Sequence, residues 1–304
     1  MRHRLLLACI GVAGFTAGAG AQRFRAGVDA VRVEVFVRDA VAPVSGLAAE
    51  DFELRDNGVP QDVELLKVND LPVSAMLLLD TSNSVDGPAL ANLKDAARAA
   101  VAALRPDDHA AVMTFASAVT LRSGWTRPSA AIDDAIARAP QGGSTSLYDA
   151  LFAALLLRDP EPGTRHLILL FSDGGDSASW LPREAVTEAA RRADSVVYAV
   201  TIRPPGAEVV LQYRSGVMLW NTPQDPRTQR PFAEELPRLT GGGTYTVGRS
   251  DLLRRTFTNI IAEFRTGYVL GYTPHGVDAA GWHDIAVTLK QKKGTVRARS
   301  GYAR

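Results

Sequence analysis

The chain has 304 residues, of which 46% are hydrophobic, so it can bury a substantial core and form more than one structural unit. Its 34 basic and 33 acidic residues give a formal net charge of +1, and no long run of one sign occurs. This balance argues against nucleic acids, polyanions and charged membrane surfaces as partners.

The first residues have the organisation of a secretory signal peptide. Arg2 and Arg4 precede an apolar run at 5–12, and small residues follow as far as Ala21. We therefore predict a signal peptide over residues 1–21 and a secreted or periplasmic protein. The alternatives are a buried N-terminal helix and a lipid anchor on Cys9, the only cysteine of the chain. After residue 21 no apolar run approaches the roughly 20 residues that a membrane-spanning helix needs.

Residues 22–70 have the pattern of a small all-β unit. Residues 31–37 alternate between apolar and other side chains with a period of two, which predicts a half-buried strand. Residues 52–55 lead into the Asn57-Gly58 turn signal, and strand character resumes at residues 63–68.

From Val73 onward, predicted strands alternate with predicted helices. The apolar runs at 73–79 and 166–171 are typical of strands that are buried on both faces of a parallel sheet. The remaining strands are predicted at 110–115, 119–121, 195–202 and 244–247, and helices at 87–104, 147–157, 183–193, 232–239 and 252–264. This order predicts an α/β fold with a doubly wound, mostly parallel sheet over residues 71–266.

Three short β segments return within residues 267–304. Because sheet edges need partners, one arrangement pairs them with residues 22–70 in a β-sandwich, into which the α/β unit is inserted.

Oxygen-bearing side chains follow the predicted parallel strands, where an open sheet binds its ligands. Asp80, Ser82 and Ser84 follow the first strand of the sheet, Thr145 precedes a buried helix, and Asp173 follows the strand at 166–171. Hydroxyls and carboxylates without histidine or sulfur favour a hard cation. Mg²⁺ fits best, with Mn²⁺ or Ca²⁺ as alternatives, and such an ion retains a position for a carboxylate oxygen of a partner.

Together these segments resemble a known motif. Asp80-x-Ser82-x-Ser84, Thr145 in Gly-Gly-Ser-Thr-Ser-Leu-Tyr-Asp-Ala-Leu, and Asp173 in Leu-Leu-Phe-Ser-Asp-Gly-Gly-Asp are similar to the metal-ion-dependent adhesion site of von Willebrand factor A domains. The resemblance covers about residues 71–266, and the flanks look like bacterial VWFA-related proteins of the acidobacterial type. It implies that Ser82, Ser84 and Thr145 bind the ion directly, whereas Asp80 and Asp173 bind it directly or through water.

Several neighbours of the motif have two interpretations. Ser144 is the alternative to Thr145 as the ligand, although the Ser-Leu-Tyr-Asp-Ala-Leu continuation favours Thr145. Asp149 either orients the loop or interacts with the start of its helix. Asp176 is interpreted as a solvated loop acid. The long connection at 204–231 either shapes the choice of partner or is merely a mobile loop.

The sequence thus predicts a non-enzymatic, exported adhesion or scaffold module that captures an acidic group of a protein partner through a divalent cation. The resemblance also implies coupling to movement of the last helix, at 251–265. The alternatives are a structural envelope component whose metal only stabilises the loops, and a metal-dependent hydrolase. Against a hydrolase, Ser82 stands where an Asp-x-Asp phosphoryl-acceptor pattern needs an acid, and no Gly-x-Ser-x-Gly elbow occurs.

Overall fold

The computed structural model describes residues 30–39, 42–66, 71–85, 87–172, 175–202 and 232–304. The predicted signal peptide at 1–21 and the connection at 204–231 lie outside these described residues. The described chain starts with four strands, which are β1 (Val31–Arg38), β2 (Phe52–Asp56), β3 (Val59–Gln61) and β4 (Glu64–Leu66).

Alternating strands and helices follow. In chain order they are β5 (Val73–Asp80), α1 (Gly87–Ala102), β6 (His109–Phe115), β7 (Val119–Thr126), α2 (Ala130–Ala137), α3 (Leu147–Leu156), β8 (Arg165–Phe171), α4 (Arg183–Arg192), β9 (Val196–Ile202), α5 (Phe232–Thr240), β10 (Thr244–Val247) and α6 (Leu253–Thr266). The last strands are β11 (Tyr268–Tyr272), β12 (Trp282–Leu289), β13 (Thr295–Ala298) and β14 (Gly301–Ala303).

The central sheet confirms the predicted α/β fold class. Its strand order is β10-β9-β8-β5-β6-β7, and only β7 is antiparallel to its neighbour. Every residue of β5 and β8 is buried, because helices cover both faces of the sheet. One face packs on α1, α2 and α6, and the other packs on α3, α4 and α5. None of the described helices is long and apolar enough to span a membrane.

The structure differs from the predicted elements at one edge of this sheet. Helix α2 was not predicted, because its buried face rests on Ile132, Ala135 and Ile136, too little for a clear helical pattern. Strand β7 extends five residues beyond the predicted 119–121, because it is an edge strand with no fully buried residue and so carries no hydrophobic alternation.

The flanking strands form two antiparallel sheets, and each combines strands from both ends of the chain. One has the order β13-β1-β11-β4, and the other has the order β14-β12-β2-β3. Their inward-facing side chains share one core, in which Val35 and Leu270 meet Phe52 and Leu54. The β2–β3 turn places Asn57 and Gly58 at φ values of 47° and 81°, as a two-residue hairpin of this type requires.

The β-sandwich contacts the central α/β unit through charged side chains. Arg165, at the start of β8, donates to both carboxylate oxygens of Glu34 on β1, with N–O distances of 2.6–3.2 Å. Glu263 on α6 accepts a hydrogen bond of 2.5 Å from Arg297 on β13. The last helix is therefore tied to the sandwich as well as to the central sheet.

Candidate functional site

The polar loops predicted to hold a cation meet at the carboxyl edge of the central sheet. Asp80 ends β5 and has no exposed surface. Its Oδ1 atom accepts a hydrogen bond from the Ser82 backbone N–H at 2.9 Å, and its Oδ2 atom accepts one from the Ser172 hydroxyl at 2.9 Å. The Asp80 carboxylate therefore fixes the turn that carries the serines and joins it to the end of β8.

The two serines of the motif present their hydroxyls side by side. The Oγ atoms of Ser82 and Ser84 are 3.0 Å apart, and Ser82 is buried whereas Ser84 is exposed. Adjacent ligands of an octahedral Mg²⁺ ion, each about 2.1 Å from the metal, are separated by about 3.0 Å. The spacing of the two hydroxyl oxygens therefore suits two neighbouring ligands of such an ion.

The threonine loop lies against the serine loop. Gly142 N–H donates to the Thr81 carbonyl at 2.8 Å, and Asn83 N–H donates to the Gly143 carbonyl at 3.0 Å. The Asn83 side chain returns the contact by accepting from Gly143 N–H at 3.2 Å. These three hydrogen bonds bring Thr145, which is 8% exposed, to the same edge as Ser82.

Gly143 allows this close approach. Its φ is +98°, a conformation that residues with a Cβ rarely adopt. A Cβ atom there would also lie 2.5 Å from the Oγ atom of Ser117. The hydroxyl of Ser117 accepts a hydrogen bond from Ser144 N–H at 2.9 Å, and Ser144 itself is exposed.

The third predicted segment is described in part. Asp173 and Gly174 lie outside the described residues, whereas Ser172 and residues 175–181 lie within them. The Ser177 hydroxyl accepts from Thr145 N–H at 3.0 Å, and Ser177 N–H donates to the Thr145 carbonyl at 2.8 Å. The segment after β8 thus contacts the backbone of Thr145 directly.

Asp176 is not the solvated loop acid that we predicted. Its Oδ1 atom accepts hydrogen bonds from the backbone N–H groups of Leu147 at 2.8 Å and Tyr148 at 3.3 Å, and from the Ser179 hydroxyl at 2.5 Å. It therefore caps the N-terminus of α3 from a distant part of the chain.

Asp149, in the first turn of α3, orients the loop after β8 and not the threonine loop that one of its two interpretations named. Its two carboxylate oxygens accept hydrogen bonds from the backbone N–H groups of Trp180 at 3.0 Å and Leu181 at 2.9 Å. Asp149 on α3 thus binds the loop after β8, and Asp176 in that loop binds the start of α3.

Sequence reasoning missed the residues that hold the loops together. Asn83, Ser117, Ser172, Ser177 and Ser179 all act through hydrogen bonds to other loops. Serine and asparagine are ordinary loop residues, so nothing in their spacing distinguishes them. Asn83 and Ser172 alone carried a signal, because Asn83 lies between the predicted ligands Ser82 and Ser84, and Ser172 directly precedes the predicted ligand Asp173.

The donor chemistry matches a hard cation better than a soft one. Within the described ranges, no three histidine, cysteine, aspartate or glutamate side chains are grouped so that they could hold a metal ion. The oxygens at the sheet edge come instead from hydroxyls and from the buried Asp80 carboxylate. Such an oxygen-only set is typical of sites for Mg²⁺ or related ions.

Comparison with known protein families finds a match in the central part of the chain. Residues 75–175 match the profile described as the von Willebrand factor type A domain. A comparison with curated proteins finds no significant match.

Solved structures are similar to this chain at low sequence identity, and the first of those described next has a TM-score above 0.5. A von Willebrand factor type A protein from Catenulispora acidiphila is 13% identical, with a TM-score of 0.52, over 88% of this chain and 75% of that one. BatB from Bacteroides thetaiotaomicron is 17% identical, with a TM-score of 0.47, over 63% of this chain and 98% of its own. The mussel byssus protein PTMP1, solved with zinc in its MIDAS motif, is 17% identical, with a TM-score of 0.49, over 68% and 49% of the two chains.

Proposed function

Since the chain carries a von Willebrand factor type A domain, we propose that it is an exported binding module that captures a protein partner through a divalent cation. The observation that carries the proposal is the convergence of the serine loop, the threonine loop and the segment after β8 at one edge of the sheet. An ion bound there would offer a position that accepts a carboxylate oxygen of the partner.

Ser82, Ser84 and Thr145 are the proposed direct ligands, and Asp80 and Asp173 are proposed to bind directly or through water. Burial of the Asp80 carboxylate is costly unless its charge is compensated, and a cation on the neighbouring hydroxyls would compensate it. The hydroxyl ligands are neutral, so they leave the ion enough positive charge to attract an acidic side chain. Mg²⁺ is the proposed ion, with Mn²⁺ and Ca²⁺ as the alternatives.

The ligand assignment is tested by calorimetric titration of the purified protein with MgCl₂, MnCl₂ and CaCl₂. The decisive pair of variants is Thr145→Val, which keeps the side-chain shape and removes the hydroxyl, and Ser144→Ala, which removes the exposed neighbouring hydroxyl. We expect Thr145→Val to weaken ion binding about tenfold or more and Ser144→Ala to leave it unchanged. The reverse result would make Ser144 the ligand, and a wild-type protein that takes up no divalent ion would end the proposal.

A capture experiment distinguishes a metal that binds the partner from a metal that only stabilises the loops. We expect protein capture from the native envelope fraction to be lost in EDTA and restored by Mg²⁺, and to fail with Thr145→Val in either buffer. If EDTA lowers the melting temperature of the protein but leaves capture intact, the metal has only a structural role. Recovery of the chain from periplasmic or culture fractions tests its export.

A further inference from the structure

Trp180 is the most exposed large apolar side chain among the described residues. It is 94% exposed, whereas the other three exposed large hydrophobic residues, Leu121, Leu156 and Leu252, are 45%, 62% and 46% exposed. Tryptophan is also the residue most enriched among those that dominate the energy of protein interfaces. An exposed indole offers an apolar ring face and an N–H donor to a partner side chain.

The loop that carries Trp180 is held in place on both sides of the indole. Asp149 accepts hydrogen bonds from Trp180 N–H and Leu181 N–H, and both bonds have normal lengths of 3.0 Å and 2.9 Å. The preceding Ser179 hydroxyl donates to Asp176 and accepts from Tyr148 N–H at 3.0 Å. Because the backbone is already fixed, packing against the indole costs little ordering entropy.

The same loop is connected to the candidate cation site. It joins β8 to α4, so it lies at the carboxyl edge of the sheet, where the motif residues meet. Its Ser177 contacts Thr145 through both side-chain and backbone hydrogen bonds. Asp149, which holds Trp180, lies in the first turn of α3, four residues after Thr145.

We propose that Trp180 is a second anchor of the partner-binding surface, and this inference rests on the proposed function. The partner it fits is an extended protein segment that places an acidic side chain on the cation and an aromatic or aliphatic side chain on the indole.

The probe is a peptide selected from a phage-displayed random library on the Mg²⁺-loaded, full-length protein and recovered by elution with EDTA. Its affinity is then measured by calorimetry for wild type, Trp180→Ala, Trp180→Phe and Leu156→Ala. Leu156 is the matched control, because it is exposed but lies at the opposite end of α3.

We expect Trp180→Ala to weaken peptide binding by at least about tenfold, Trp180→Phe to have a smaller effect, and Leu156→Ala to have none. The affinity for Mg²⁺ itself should be the same in all four proteins, because the indole contributes no ligand. The selected peptides should share an acidic residue followed or preceded by an apolar one.

The outcomes separate this inference from the proposed function. If the peptide binds Trp180→Ala as tightly as wild type, and still only with Mg²⁺, Trp180 is not an anchor and the proposed function stands. If Trp180→Ala binds the peptide more tightly than wild type, the indole hinders peptide binding, which also overturns the inference. If the wild type binds no Mg²⁺, or no peptide is released by EDTA, the proposed function fails first.

Discussion

Replacement of Glu263 by glutamine tests whether α6 is fixed to the β-sandwich by charge. The Glu263 carboxylate is 5% exposed and accepts hydrogen bonds from four other elements. Arg297 on β13 and Tyr198 on β9 donate to Oε1 at 2.5 Å and 3.4 Å. Tyr245 on β10 donates to Oε2, and Arg38 at the end of β1 donates to Oε2 at 3.4 Å. The variant keeps the size of the side chain but turns an amide N–H₂ group towards one of these donors.

The expected loss follows from the burial of the partners. Removal of one member of a fully buried ion pair costs about 3–5 kcal/mol, because the other charge is left uncompensated. The Arg297 and Arg38 side chains are 30% and 41% exposed, so water partly screens them and lowers this cost. We therefore expect Glu263→Gln to lower the free energy of unfolding by about 2 kcal/mol.

Urea denaturation followed by circular dichroism measures the loss, and hydrogen exchange of the α6 amides shows where it occurs. Glu188→Gln is the control, because Glu188 also pairs with two arginines but is 44% exposed, so its loss should stay below about 0.5 kcal/mol. Equal effects of the two variants, or unchanged exchange in α6, would show that packing alone holds this helix. In that case the movement of the last helix implied by the family resemblance would meet no ionic restraint from the sandwich.

Three further predictions address the sandwich core and the site loops. Burial and a hydrogen bond to Asp56 raise the pKa of Tyr302 to about 12. Its contribution to stability is therefore complete below about pH 10 and is lost as the pH rises through 12. Tyr302→Phe should flatten this part of a stability–pH curve, and an unchanged slope would contradict the assignment. Gly143→Ala should displace the threonine loop and weaken Mg²⁺ binding in a calorimetric titration, because its Cβ would meet Ser117; wild-type affinity would show that the loop adapts. Asp176→Ala removes a helix cap, so it should lower the free energy of unfolding by about 1–2 kcal/mol and with it the midpoint of thermal unfolding. A midpoint within experimental error of wild type would rule out this role.

The central fold could be predicted because its strands are buried on both faces. The apolar run of β5 is interrupted only by Ser74, that of β8 is continuous from Leu167 to Phe171, and each is followed by a polar residue, Asp80 or Ser172. Strand β7 and helix α2 have weaker signals, because an edge strand and a short alanine-rich helix bury few large side chains. Such elements are defined by what they pack against, and that information is not local in the sequence.

The candidate site was predictable to the level of its motif. The positions of Asp80, Ser82, Ser84 and Thr145 follow from their place after or between strands, and the structure brings their segments together. The roles of the residues around them were not predictable, since an aspartate that caps a helix from another loop has the same local sequence as a solvated one. Asp176 was assigned wrongly for this reason.

The interleaving of the two ends of the chain in the β-sandwich has a consequence for biosynthesis. Strand β1 hydrogen-bonds to β11 and β13, and the Tyr302 hydroxyl reaches Asp56 across 246 positions of sequence. While the chain emerges in order, β1 must therefore wait with both hydrogen-bonding edges open, and β2 with the edge opposite β3 open, until most of the protein has been made. A nascent or truncated chain that lacks β13 and β14 should aggregate unless a chaperone shields these early strands.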